Sequence, residues 1–307
     1  MSQEGFSDLN RLLISHDPRD LLKFYDAFKD SESLIGWMKN RPSGRAIIQP
    51  VDGNGDTVVV VILTTDFSGK LASSCRDIFR GLQIVFVESG TGDPYFNYSR
   101  NCNLGVSYAL GYNPKWIVLS NDDVTQIDNI SVLVKGLSKT NNTFSDAVFT
   151  KPPGRLHSYS MNIARSSTAR NWLYALAGEY WNRQIQIEKK FHADFIIPDQ
   201  RIRFGFLYKV LFRFLNGGAF SIFNADFVRK SRGRLFDETY INGVEDVDLF
   251  YQFAHSNSRH SFVNFEISST AGASLGSWNI NRRLRNIANE VYLNYKLRNH
   301  MLPSIFS

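Results

Sequence analysis

The chain has 307 residues, 43% hydrophobic and 21% charged, and its 35 Lys and Arg against 29 Asp and Glu leave a formal charge of +6. That composition supports a sizeable core in one large domain or two modest ones. Cys75 and Cys102 have neither metal-site nor CxxC spacing, which argues against a disulfide scaffold and fits a reducing compartment.

The first ten residues, "MSQEGFSDLN", carry no basic segment followed by an apolar one, so no signal peptide is expected. No stretch approaches the roughly 18 uncharged apolar residues of a membrane span. The expectation is a cytoplasmic protein, soluble or peripheral on the cytoplasmic membrane face. The positive charge points to anionic partners: nucleotide phosphates, a membrane surface or nucleic acid.

Residues 6–40 read as helical. Leu21, Leu22, Phe24, Tyr25 and Phe28 share one broad face, and Asp17-Pro18 is a start signal. "RPSGR" and "VDGNGD" read as turns. "VVVVIL" (58–63) is a β-branched run suited to a strand buried on both faces of a parallel sheet. A helix is expected around 69–80, a strand over 83–89, a helix over 98–111 ending on Gly111, and a strand over 115–120. This alternation predicts an α/β fold.

Asp122 and Asp123 follow the last of these strands. The pair can be a strand leaving the core and capping a turn. It also lies where open α/β sheets place ligands, past the C-terminal end of a central strand, and two adjacent carboxylates there suit a divalent cation.

Residues 151–215 are irregular, with many aromatic and basic residues. Beyond them, "GGAFSIF" (217–223) reads as a strand and "NADFVRKS" (224–231) as a short helix capped by Asn224. "VEDVDLFYQFAH" has Val247, Phe250, Tyr251 and Ala254 at helical spacing, "HSFVNFEI" reads as a strand, and 279–300 as a basic helix with a stripe of Leu284, Ile287 and Val291. Glu245, Asp246 and Asp248 open the "VEDVDL" helix. Carboxylates in a first turn suit the macrodipole and need no catalytic role. Two acidic clusters can also divide labour, one holding a cation against a diphosphate leaving group, the other taking a proton from an attacking hydroxyl.

The ordered set "VVVVILTTD", "VFVESG", "SRNCNLGVSYALG", "IVLSNDDV", "GGAFSIFNADFVRK" and "GRLFDETYINGVEDVDL" resembles the family 2 glycosyltransferases of the GT-A fold, their rhamnosyltransferase-like branch above all. The resemblance covers about residues 57–277, with 151–215 poorly matched. It implies a Rossmann-like, mostly parallel central sheet flanked by helices in a domain over 56–277. N-terminal (1–55) and C-terminal (278–307) helical extensions would flank that domain.

By the same resemblance, Asp123 binds a Mn or Mg cation and Asp122 faces the ribose of a nucleotide-sugar donor. Thr64, Thr65, Asp66, Glu88, Arg100 and Asn101 line the nucleotide pocket, and Gly217 and Gly218 let the backbone pass close to the sugar. Asp246 is the general base, and Glu245 positions the acceptor. The implied activity is inverting hexosyl transfer to a hydroxyl acceptor, whether a glycan, lipid-linked or protein-linked. One departure stands out: the family often has a metal-completing His five residues before the Ser of an "HxxGxS" segment, and Ser269 occupies that place in "STAGAS".

The interleaved "RIRFGFLYKVLFRF" (201–214) reads either as a core strand with solvated charges or as a membrane contact with Arg203, Lys209 and Arg213 facing anionic lipid. No motif supports nucleic-acid binding. Other readings of the whole are a catalytically inactive nucleotide-sugar-binding module and a nucleotidyltransferase. The sequence does not determine an oligomeric state.

Overall fold

The computed structural model describes residues 3–140, 145–150, 179–193, 220–255, 259–269 and 280–299. The 201–214 segment, and with it Gly217 and Gly218, lies outside the described residues.

The β-branched run forms the core of β2 (Asn54–Thr64), which lies between β3 (Leu82–Glu88) and β4 (Trp116–Asn121), parallel to both. The sheet has seven strands in the order β1-β3-β2-β4-β7-β6-β8. Its remaining members are β1 (Ile47–Val51), β6 (Ala147–Thr150), β7 (Phe220–Asn224) and β8 (His260–Val263). Five strands point one way; β1 and β7 oppose their neighbours. The fold is therefore α/β with a mixed, mostly parallel central sheet.

Alternation along β2 explains why the run is apolar throughout. Val58, Val60 and Ile62 enter one core, shared with α4 (Lys70–Ile78) and α6 (Ile130–Lys139). Val59, Val61 and Leu63 enter the opposite core, shared with α5 (Tyr98–Ala109), α8 (Ala225–Lys230) and α9 (Glu245–His255). Burying each such side chain contributes about 1.5–3 kcal/mol. Gly105 brings α5 close to the sheet: a Cβ there would stand 2.3 Å from Val61 Cγ1.

A third core is built mainly from helices. It joins α1 (Gln3–Ile14), α2 (Pro18–Asp26) and α3 (Ser31–Lys39) to α7 (Glu179–Lys190) and α10 (Ile280–Arg298). Leu284, Ile287 and Val291 are buried there, as the stripe predicts. Tyr25 Oη donates to the Leu284 carbonyl and accepts from Ala288 N. The buried Arg283 guanidinium lies between Glu188 and Glu290. A buried cation needs such partners, because an unpaired one is costly.

Several boundaries differ from expectation. Residues 6–40 are broken by side-chain caps at Asp17 and Asp30. Part of "VDGNGD" belongs to β2, whose register on β3 shifts between Asn54 and Val59. The helix over 98–111 stops at Ala109, and after a 3-10 turn the left-handed residue is Asn113 (φ 52°), not Gly111. "HSFVNFEI" splits in two. Its first half, β8, joins the main sheet beside β6, while β9 (Ile267–Ser269) leaves to pair with β5 (Val124–Gln126) because Phe265 turns into the α6-side core between them.

Candidate active site

The parallel register of β2 on β4 pairs Leu63 with Asn121, which sets Thr64 beside Asp122 at the C-terminal edge of the sheet. Thr64 Oγ1 donates a 2.7 Å hydrogen bond to Asp122 Oδ2. The same hydroxyl accepts from Asp66 N at 3.2 Å, folding the 64–66 turn around it. Cys75 Sγ, in α4, donates to the Asp122 carbonyl at 3.4 Å. Thr65 and Asp66 are exposed.

Burial raises the Asp122 carboxyl above the usual range, and the Thr64 hydroxyl partly opposes it. Burial also raises Asp123, and the charge of Asp122 adds to the effect. Asp123 Oδ1 is buried with no hydrogen-bond partner among the described residues. Such an orphaned carboxylate oxygen is costly unless something occupies it. Ser269 is paired with Val124 in the β5–β9 register, so it lies one residue from Asp123. The donors at this edge are carboxylates; among the described residues no group of three or more His, Cys, Asp or Glu is arranged to hold a metal ion.

Glu88 ends β3 and pairs with Arg45 at 3.3 Å. Arg100, in the first turn of α5, donates from Nη1 to the Gly44 carbonyl at 2.6 Å. Asn101 is buried, its Nδ2 without a hydrogen-bond partner among the described residues.

Glu245 and Asp246 start α9 as expected. The turn before them is strained, with Asn242 at φ 52° and Val244 at φ 73°. A β-branched residue in that region is an outlier, held only where its surroundings over-determine it. The surroundings do so here. Asn242 Oδ1 accepts from Tyr98 N at 2.8 Å, and Asn242 Nδ2 donates to the Phe96 carbonyl at 3.1 Å. Asn289 of α10 clamps Ile241 from both sides, accepting from its N–H at 2.7 Å and donating to its carbonyl at 2.9 Å.

Glu245 is 8% exposed and its Oε2 has no hydrogen-bond partner among the described residues. Burial, with the neighbouring Asp246 charge, pushes its carboxyl up to about 8. Asp246 is half-buried, and its Oδ1 accepts from Val247 N at 2.8 Å. Behind them Asp248 is buried against Lys296 at 2.7 Å, and the same ammonium holds Asp237 at 2.8 Å.

The structure thus joins Thr64, Asp66 and Asp122 through one hydroxyl, with Asp123 adjacent, and places Glu245 and Asp246 beside the first turn of α5. That turn follows β3, so both clusters belong to the same edge of the sheet. No hydrogen bond or ion pair joins the two clusters among the described residues. Sequence reasoning missed Asn242, Asn289 and Lys296. The Asn-Gly pair at 242–243 signals a left-handed turn, whereas partners 48 positions away in the chain leave no local signal.

No family model matches the chain, and no curated protein matches it in sequence.

Proposed function

We propose that the chain is an inverting glycosyltransferase of GT-A type that moves a sugar from a nucleoside-diphosphate sugar to a hydroxyl acceptor. The observation that carries this reading is the Thr64–Asp122 clasp at the end of β4, beside the buried and unpartnered Asp123 Oδ1. A Mg or Mn ion fits that donor set, since such a cation is commonly held by one or two carboxylates with substrate phosphates and water completing the shell. When bound, it offsets charge on the departing diphosphate.

The chain's own groups supply the remainder. Asp123 offers the free carboxylate oxygen, and Asp122, fixed by Thr64, faces the ribose. Asp246 accepts the proton of the acceptor hydroxyl. The acceptor oxygen attacks the anomeric carbon, the bond from that carbon to the phosphate oxygen breaks, and its electron pair leaves on the diphosphate. Glu245 carries a proton at neutral pH, so it positions the acceptor as a hydrogen-bond donor instead of serving as the base.

Incubating the full chain with a panel of nucleotide sugars and Mn or Mg, then assaying released nucleoside diphosphate, tests the reading. Release that depends on the cation is expected. Binding without release would indicate an inactive binding module, and release of pyrophosphate a nucleotidyltransferase.

A further inference from the structure

A cavity of about 640 Å³ opens where the end of α3, the first turn of α5 and the 230–239 segment meet. Six cationic side chains line it: Lys39, Arg41, Arg100, Lys230, Arg232 and Arg234. Its acidic residues are Asp237 and Glu238, and Asp237 is already held by Lys296 and by the Tyr292 hydroxyl. Neither Asp122 nor Asp123 lines it, nor do Glu245 and Asp246; of the residues the resemblance gives to the nucleotide, Arg100 alone does.

None of the six cations has a carboxylate partner among the described residues. Arg41 donates to Asn10 Oδ1, to the Pro94 carbonyl and to the Phe96 carbonyl, all neutral acceptors. Arg100 donates to the Gly44 carbonyl. Lys39 lies near the Tyr292 and Tyr295 rings. Elsewhere the chain pairs its arginines readily, as at Arg19, Arg45, Arg80, Arg183, Arg229 and Arg283. Like charges gathered in one concavity repel, and low-dielectric walls focus their field. Burial pushes the Arg41 guanidinium down to about 10, opposed in part by Tyr95 and Asp93.

We propose that this cavity binds a ligand bearing two or more phosphate groups, at a site separate from the carboxylates of the candidate active site. Guanidinium forks match phosphate oxygens in pairs, which favours phosphate over a single carboxylate. The first turn of α5 adds the positive end of a helix dipole on the same side. Single-stranded nucleic acid would need exposed rings for base stacking. The aromatic residue lining the cavity, Phe236, is buried, so the recognition is of phosphate and not of bases.

Pyrophosphate is the probe, titrated calorimetrically into the full chain in EDTA at low salt, where no cation can assist binding at Asp123. The parent saturates with 1:1 stoichiometry. Lys230 and Arg234 are exposed, so replacing both with Gln leaves the fold intact, checked by an unchanged melting temperature without ligand. Binding by the Lys230→Gln, Arg234→Gln variant weakens at least about tenfold for each cation removed, the scale of one charge-assisted hydrogen bond. Loss in the double variant localises the binding to this cavity, and EDTA keeps cation-dependent binding at Asp123 out of the measurement whether or not the chain transfers sugar. Failure of the parent to saturate or equal affinity in the double variant would each overturn the proposal. Vesicles containing phosphatidylinositol bisphosphate distinguish the source of the phosphate. Vesicle binding that pyrophosphate displaces assigns it to a lipid headgroup, and its absence to a soluble ester.

Discussion

Lys296 Nζ lies 2.7 Å from Asp248 Oδ2, both side chains almost fully buried, so the last described helix holds the helix that carries Glu245 and Asp246. Lys296 also holds Asp237, which precedes the strained 242–244 turn. Burial alone would raise the Asp237 carboxyl, but the Lys296 charge and the hydrogen bonds from Lys296, Thr239 and Tyr292 together outweigh it and leave Asp237 below its ordinary range. Lys296→Met strands Asp248 as an uncompensated buried charge. The expected loss is about 3–5 kcal/mol, the cost of removing one partner of a buried pair. A urea midpoint equal to the parent's would show that the ion pair contributes nothing to stability.

Thr64 is a smaller but more local lever. Its hydroxyl donates to Asp122, a bond that lowers the Asp122 carboxyl against the upward effect of burial. Thr64→Val keeps the β-branched shape and removes the donor. The Asp122 carboxyl then rises further, so the acid limb of the pH–activity profile moves to higher pH. Donor affinity at neutral pH weakens by about tenfold, in line with about 1.5 kcal/mol for a hydrogen bond to a charged group. An acid limb that stays in place would separate Asp122 ionisation from donor binding.

Much of the sheet was legible in the sequence because β2, β3 and β4 are buried on both faces and leave continuous apolar runs. The Asn224 cap was also legible, since capping is a local act between residues two or three apart. What was not legible depends on distant partners. β1 joins the sheet as an antiparallel edge through residues that alternate weakly, with Pro50 inside it. β5 and β9 have three residues each and are defined by each other. At the candidate site, Asp122, Asp123, Glu245 and Asp246 stood out by type and position. Their supports did not: Asn289 reaches Ile241, and Lys296 reaches Asp248, across 48 residues each.

Asp123→Ala removes the carboxylate whose Oδ1 is buried and unpartnered. Because that oxygen makes no hydrogen bond among the described residues, the fold survives. Cation-dependent donor binding is expected to be lost, measured as the shift in melting temperature that a nucleotide sugar produces with Mn against EDTA. An undiminished Mn-dependent shift would remove Asp123 from the proposed cation site.

Asp246→Asn keeps the shape of the side chain and its acceptor for Val247 N, but cannot take a proton. Donor binding is spared and transfer falls by at least about a hundredfold, the scale of losing a general base. Comparing single-turnover rates with donor affinity separates the two effects. Loss in Glu245→Gln with none in Asp246→Asn would move the base by one residue, and loss in neither would leave the acidic first turn as a partner of the helix dipole alone.

Glu245 gives the fold a pH dependence whose sign is fixed. Its carboxyl stands at about 8 in the folded chain against an ordinary 4.5, raised first by burial and then by Asp246. Below about 4.5 both folded and unfolded chains are protonated there, and the stability is fully present. Between those values the folded chain keeps a proton that the unfolded chain has released. Stability therefore falls as pH rises, by about 1.4 kcal/mol per pH unit from this group. Above about 8 the loss is complete. Glu245→Gln carries no titrating proton, so the decline flattens and the variant gains on the parent steadily from pH 5 to pH 8. Urea midpoints of both proteins across that range measure the gain. A constant difference between them would mean that Glu245 is ionised in the folded chain, and its assignment as a hydrogen-bond donor to the acceptor would fall with it.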